Sequence, residues 1–148
     1  MVIDLQDIEQ IILPINVYRL VSESILENES QILDLNRRQM FAGNDANGNT
    51  IKPQYKYKTV KIKEEKGQPT DRVTLLDTGD FYNSMFLNPF GDPSEYAEFE
   101  FDAKDYKTTD LKDKYGDFIL GIERDDLDDA AEIIKDTLIE SYANELRK

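Results

Sequence analysis

The sequence predicts an α+β fold in which a small antiparallel sheet packs with a long N-terminal helix and a long C-terminal helix. Three observations predict it. Apolar residues recur at three- and four-residue intervals over residues 17–35 and again over 127–146, the period of one helix face. Between them Ala97, Phe99 and Phe101 alternate with Glu98, Glu100 and Asp102, the two-residue period of a strand with one wet face. The 148 residues suit one domain, and seven Phe and eight Tyr give it enough bulk for a core. With 39% hydrophobic against 33% charged residues, that core is modest, and part of the surface is expected to be covered only in an assembly. The expected organisation is an N-terminal helical segment over residues 1–33 and a single α+β domain over 34–148.

Taken in order, Ile3, Leu5, Ile8, Ile11 and Ile12 predict a short amphipathic helix ended by Pro14. A second helix follows, with Asn16 as N-cap and Val17, Leu20, Val21, Ile25, Ile32 and Leu35 on one face. The polar patch Glu27-Asn28-Glu29-Ser30 is a place for it to bend or break, and Gly43 stops it. Residues 43–49 are a turn by composition. Their Asn, Asp and Gly do not fit a calcium loop: with Gly48 at the sixth position, the first ligand falls on Gly43 and the twelfth on Gln54. Tyr55, Tyr57 and Thr59 alternate with lysines before Val60 and Ile62 take the opposite phase, which predicts a bulged strand or an extended arm ordered by a partner. Residues 66–69 form a turn leading into the apolar run Val73-Thr74-Leu75-Leu76, and residues 88–93 form another. A short helix or irregular segment holds Leu111, Tyr115, Phe118 and Ile119. The last helix begins at a cap on Asp125 or Asp126, and Leu127, Ala130, Ala131, Ile134, Leu138, Tyr142 and Leu146 make its stripe.

Thirty-one acidic against 18 basic residues give a net charge of -13, which argues against binding a nucleic-acid backbone through the mean field. The charge is uneven. Lys52, Lys56, Lys58, Lys61, Lys63 and Lys66 face only Glu64 and Glu65, whereas residues 92–129 are strongly acidic. A basic arm and an acidic body can pair head-to-tail between copies. Lysines interleaved with tyrosines can also hold single-stranded nucleic acid, but the acidity and short span rank that behind a half-buried strand or a subunit contact. No apolar stretch approaches the roughly 20 residues that span a bilayer, so no membrane partner is expected. The start Met-Val-Ile-Asp-Leu lacks the basic and apolar regions of a signal peptide, which predicts cytosolic synthesis.

The chain has no histidine and no cysteine, so a Ser-His-Asp triad, a Cys-His dyad and a histidine or thiolate zinc site are excluded. Carboxylate chemistry remains. Asp77-Thr78-Gly79 could serve an aspartic protease if two copies met at a dimer axis and shared one proton. The residues that follow, Asp80-Phe81-Tyr82, are charged and bulky where such a loop needs small neutral ones, and the long flanking helices do not suit a small all-β protease. The alternative is mechanical: Asp77 or Thr78 caps a short helix, Gly79 lets the backbone turn closely against a neighbour, and Phe81, Tyr82 and Met85 supply apolar faces. On that reading there is no catalytic residue, cofactor or metal.

Residues 67–84, Gly-Gln-Pro-Thr-Asp-Arg-Val-Thr-Leu-Leu-Asp-Thr-Gly-Asp-Phe-Tyr-Asn-Ser, resemble the leucine, Thr-Gly, then Ser signature of tail-completion and head-tail joining (neck) proteins of tailed bacteriophages. Two further blocks match in order: Leu35-Asn36-Arg37-Arg38-Gln39 through Gly43 to Ile51, and residues 111–122 followed by an acidic-capped helix. Gly121-Ile122-Glu123-Arg124 departs from the Gly-Leu-Thr-Glu type of sequence in that family. The resemblance implies a non-enzymatic virion component of α+β fold, synthesised in the host cytoplasm and forming a homo-oligomeric ring or adaptor at the neck or upper tail. Its implied partners are copies of itself, the portal or connector and tail proteins, and passing DNA without sequence-specific binding. Tyr55, Lys56, Tyr57, Lys58, Thr78, Gly79, Phe81 and Tyr82 are the expected subunit or partner contacts. An acidic DNA-mimicking inhibitor is the alternative from another class, with the dimeric protease third.

Overall fold

Six α-helices and one two-stranded antiparallel sheet make up the described part of the chain, residues 15–92 and 95–148 of a computed structural model. The helix expected over residues 3–13 lies outside the described residues. α1, Val17–Glu27, starts where Asn16 Oδ1 accepts the Arg19 amide at 3.0 Å, the expected N-cap. Asn28 then leaves helical geometry, and α2 runs over Glu29–Phe41. The break is fixed by the Asn28 side chain, which donates to the Ser24 carbonyl at 2.8 Å and to Thr137 Oγ1 at 3.0 Å. α2 runs through the 33/34 boundary, and Ile32 and Leu33 share one core with Met40, Ile119 and Ile134.

The extended arm or bulged strand expected at residues 55–63 is instead a helix, α3, Tyr57–Glu65. Thr59, Val60 and Lys63 turn inward, and the outer positions link one turn apart, with Lys61 over the Tyr57 ring at 5.4 Å and bonded to Glu64 at 3.2 Å. The helical spacing of the inward residues overrode a two-residue alternation only three residues long. Val73, Thr74 and Leu75 are buried and Leu76 is half-buried, but the run enters no strand.

A single short turn, α4, Asp80–Asn83, leads into β1, Met85–Phe90. The turn expected at residues 88–93 therefore begins later, because Asn88, Pro89 and Phe90 belong to β1. β1 pairs with β2, Glu98–Ala103, with Met85 opposite Ala103, Leu87 opposite Phe101 and Pro89 opposite Phe99. Leu87 N–H points away from β2 and donates to Glu29 Oε1 at 3.3 Å; two residues on, Pro89 occupies the equivalent outward place and has no N–H to satisfy. Met85 and Leu87 are buried, while Phe99 and Phe101 pack beside them on the core.

α5, Thr108–Tyr115, two 3-10 turns at Asp117–Ile119 and Arg124–Asp126, and α6, Leu127–Leu146, complete the chain. α6 has acids in its first turn, but no side chain caps it: the 3-10 turn feeds directly into it, and Asp126 accepts no cap bond. It lies antiparallel to α1, tied by Arg19 to Glu145 at 3.2 Å at one end and Asn28 to Thr137 at the other. Only Ile134 of its stripe is buried, and Leu127 and Leu146 at the stripe's ends are exposed.

Candidate functional site

Residues 73–78 are the part of the chain whose backbone groups must be satisfied without a sheet, since Val73 and Thr74 are wholly buried. Side chains do this. Tyr55 Oη accepts the amides of both Thr74 and Leu75 at 3.0 Å, and Tyr82 Oη donates to the Thr74 carbonyl. Lys63, only 6% exposed, donates to the Leu76 carbonyl and to Gln68 Oε1 at 3.2 Å, and its ammonium lies 4.8 Å from the Tyr55 ring centroid. Gln68 in turn donates to the Asp77 carbonyl at 2.8 Å. Four side chains thus hold a segment in which Leu75 adopts a left-handed φ of 57°, a conformation that costs a branched residue energy and persists only where its surroundings fix it.

The Asp-Thr-Gly corner follows. Thr78 Oγ1 accepts the Asp80 amide at 3.2 Å, so Thr78 rather than Asp77 holds the start of α4. Gly79 has φ 93°, and a Cβ there would meet only Asn83 Nδ2, at 3.7 Å. Backbone sign, not close approach to a neighbour, is what calls for glycine. Phe81 drops into the core.

Between α3, the corner and α5 opens a cleft of about 280 Å³. Tyr55, Ile62, Leu75, Phe81, Leu111 and Tyr115 give it apolar walls, and Asp77, Asp80, Asp105 and Lys107 give it polar ones. Of the residues expected from sequence, Tyr55, Thr78, Gly79 and Phe81 line this cleft. Tyr82 anchors the segment beneath it, and Lys56, Tyr57 and Lys58 stand exposed at the start of α3, Tyr57 at 76%. Tyr106, between Asp105 and Lys107, is exposed as well.

Asp77 bonds Lys66 and lies 3.8 Å from Lys107. The Lys66 bond, reinforced by the surrounding lysines, holds its carboxyl below the usual carboxylate range. The Tyr82 phenol is pushed the other way, up from its ordinary value, by burial first and then by the neighbouring Tyr55.

A second polar set was not singled out as a site from sequence. Asn36, wholly buried, donates to the Ile119 carbonyl at 3.0 Å and accepts the Gly121 amide at 2.9 Å. One turn on, Gln39 donates to the Gly121 carbonyl at 3.1 Å and accepts the Glu123 amide at 2.9 Å. The two amides pair with residues 119–123 as a neighbouring strand would. The available signal was two carboxamides three residues apart among Ile32, Leu33, Leu35 and Met40, on a face that should otherwise be apolar. In the 43–49 turn, Asp45 Oδ1 accepts the amides of Asn47 and Asn49 at 2.9 and 3.0 Å, a local turn bond.

Among the described residues, no cluster of three acidic side chains is placed to hold a metal ion, and no helix is long and apolar enough to cross a membrane. No family model, no curated protein and no solved structure matches the chain.

Proposed function

We propose that this chain is a structural virion protein of a tailed phage, forming a homo-oligomeric ring or adaptor at the head-tail junction, in the neck or upper tail, without a catalytic role. One observation supports the reading most: the three blocks of the neck-protein resemblance are bonded to one another. Arg37 donates to the Tyr82 carbonyl at 3.0 Å, Arg72 to the Phe41 carbonyl at 2.7 Å, and the Ala46 amide to the Phe118 carbonyl at 2.8 Å. With the Asn36 and Gln39 bonds, residues in each block need partners in another, so the match in sequence order corresponds to one packed unit. The polar, partly unburied long helices and the exposed Tyr57 and Tyr106 agree with a subunit whose surface is completed by copies of itself and by portal, connector or tail proteins. The acidic net charge would let DNA pass without adhering.

The dimeric protease is disfavoured at a specific atom. Two aspartates sharing one proton must face each other across the axis, whereas the Asp77 carboxylate is bonded to Lys66 and lies 3.8 Å from Lys107. A DNA-mimicking inhibitor remains the alternative that the net charge alone would fit. Cryo-electron microscopy and protein mass spectrometry of particles from the encoding phage test the reading. A multi-copy ring of this chain at the neck is expected; a chain absent from purified virions, or a purified chain that binds a DNA-binding enzyme competitively with duplex DNA, would overturn it.

A further inference from the structure

We infer that Asn47 is a site of spontaneous deamidation, held in check in the folded chain by the bonds of the Asp45 side chain. Of the asparagines in the chain, Asn47 alone is followed by glycine, so no side chain crowds the next main-chain nitrogen. Asn47 stands exposed in the 43–49 turn. The reaction needs only water. The Gly48 nitrogen, once it has given up its proton, attacks Asn47 Cγ. The new N–Cγ bond closes a succinimide ring as the Cγ–Nδ2 bond breaks, and ammonia leaves with a proton. Water then opens the ring at one of its two carbonyls, leaving an aspartyl or isoaspartyl residue at position 47.

The folded turn opposes the first step. Gly48 N–H donates to the Asp45 carbonyl at 3.0 Å, which keeps this nitrogen protonated and engaged inside the turn. Asp45 Oδ1 fixes that geometry from both sides of Gly48, accepting the Asn47 amide at 2.9 Å and the Asn49 amide at 3.0 Å. The Asp45 amide donates to the Asn49 carbonyl at 2.8 Å, and the Ala46 amide ties the turn to Phe118. Ring closure therefore waits for a local opening, and Asp45 sets how often that opening occurs. The product does not suit the closed turn. Asn47 borders an open cavity of about 300 Å³ with Ala46, Glu123, Arg124 and Asp125, and a Cβ on Gly48 would stand 3.3 Å from Glu123 Oε2. An aspartyl product sets a third carboxylate beside Glu123 and Asp125, with Arg124 to offset it. An isoaspartyl link instead lengthens the main chain between the two amides that Asp45 holds. Either change loosens the turn's hold on residues 118–123.

The full-length chain is incubated at neutral pH in buffer and in urea that unfolds it, and peptide mapping with electron-transfer fragmentation reads the products. In urea Asn47 should deamidate ahead of every other asparagine. Folding should slow it about tenfold or more, the scale set by two bonds to a carboxylate. Asp45→Ala should restore most of the unfolded rate while circular dichroism still reports the native fold. Asp45→Asn, which keeps an oxygen acceptor without the charge, should stay slow. Another asparagine reacting first in urea overturns the site. Equal rates with and without urea, a slow Asp45→Ala chain, or an Asp45→Asn chain as fast as Asp45→Ala overturns the assigned check. Hydrogen exchange at the Gly48 amide of the unmodified chain needs no variant: its protection should match the slowing of deamidation, and an unprotected amide overturns the check as well.

Discussion

Replacing Asn36 tests the bonding between the blocks most directly. Its two bonds are side chain to backbone and lie in a wholly buried place, so removing them leaves the Ile119 carbonyl and the Gly121 amide without partners or water. Each orphaned group costs about 1–3 kcal/mol, and the void left by Asn36→Ala adds to that, giving about 3–5 kcal/mol in all. Against a typical total of about 5–15 kcal/mol this is a large fraction. Asn36→Asp is sharper because it keeps shape and alters one donor. As a carboxylate it still accepts from Gly121 but opposes the Ile119 carbonyl; protonated, it donates to that carbonyl and restores both bonds. Its folded pKa is therefore raised above the unfolded value of about 3.9. A raised carboxyl pKa stabilises most below the unfolded value, and the advantage is lost as pH climbs toward the folded value. Relative to the unmodified chain at the same pH, Asn36→Asp should then lose at least about 1 kcal/mol more at pH 8 than at pH 5.5, both clear of the isoelectric point near 4.4. Urea unfolding followed by circular dichroism and tyrosine fluorescence measures this, with an unchanged slope showing that the native fold is retained. A cost within about 0.5 kcal/mol for Asn36→Ala, or an Asn36→Asp penalty indifferent to pH, would refute the assigned bonds.

Phe81→Ala removes a buried ring from the core beneath the cleft and should cost about 3–5 kcal/mol in the same unfolding assay. Gly79→Ala should cost about 1–2 kcal/mol through its φ alone, since space for a Cβ is open; Gly79→Val should cost more, and Gly79→Asn, which tolerates the left-handed region, less than Ala. Asp77→Asn should change stability by less than about 1 kcal/mol, because the carboxylate is more than half exposed. Its lowered pKa gives a small stabilisation present above the unfolded value near 3.9 and lost as pH falls through the folded one, and added salt should shrink it. The Tyr82 phenol, with its pKa raised, contributes stability that is complete below about pH 10 and lost as pH rises beyond it. Absorbance titration near 295 nm should show one tyrosine ionising only together with alkaline unfolding, and Tyr82→Phe should remove that late step.

The long periodic elements were legible in sequence. α1, α2 and α6 carry apolar stripes over two or more turns, and β2 alternates cleanly, so each pattern had one structural solution. Misreadings arose where a short pattern served two periods or broke a local rule. Tyr55, Tyr57 and Thr59 alternate, yet Thr59 and Lys63 sit one turn apart on the buried face of α3. Asn88 and Pro89 announce a turn, but a two-stranded sheet has only edges, and an outward-facing position tolerates proline. In the site, Thr78 and Gly79 were legible because hydroxyl caps and glycine corners are local chemistry. The burial of Lys63 was not: its acceptor, the Leu76 carbonyl, lies 13 residues away and becomes available only because residues 73–76 decline to form a strand. Asn36 and Gln39 were hidden for the same reason, their partners being more than 80 residues distant.

The same long-range bonds bear on how the cleft could work. Its floor is irregular backbone, which by composition alone should be mobile, yet Tyr55, Tyr82, Lys63 and Gln68 satisfy it from three directions. A partner arriving at Ile62 and Leu111 therefore meets a wall already in its bound shape and does not have to order it, which removes a cost of about 0.5–1.5 kcal/mol per side chain that an unformed surface would impose. The Asp-Thr-Gly corner contributes to this preorganisation through Thr78 and Gly79, while Asp77 bonds Lys66 just past the end of α3 and lies 3.8 Å from Lys107. Apolar walls with Asp77, Asp80, Asp105 and Lys107 at set places around them favour one orientation of approach by a partner over others.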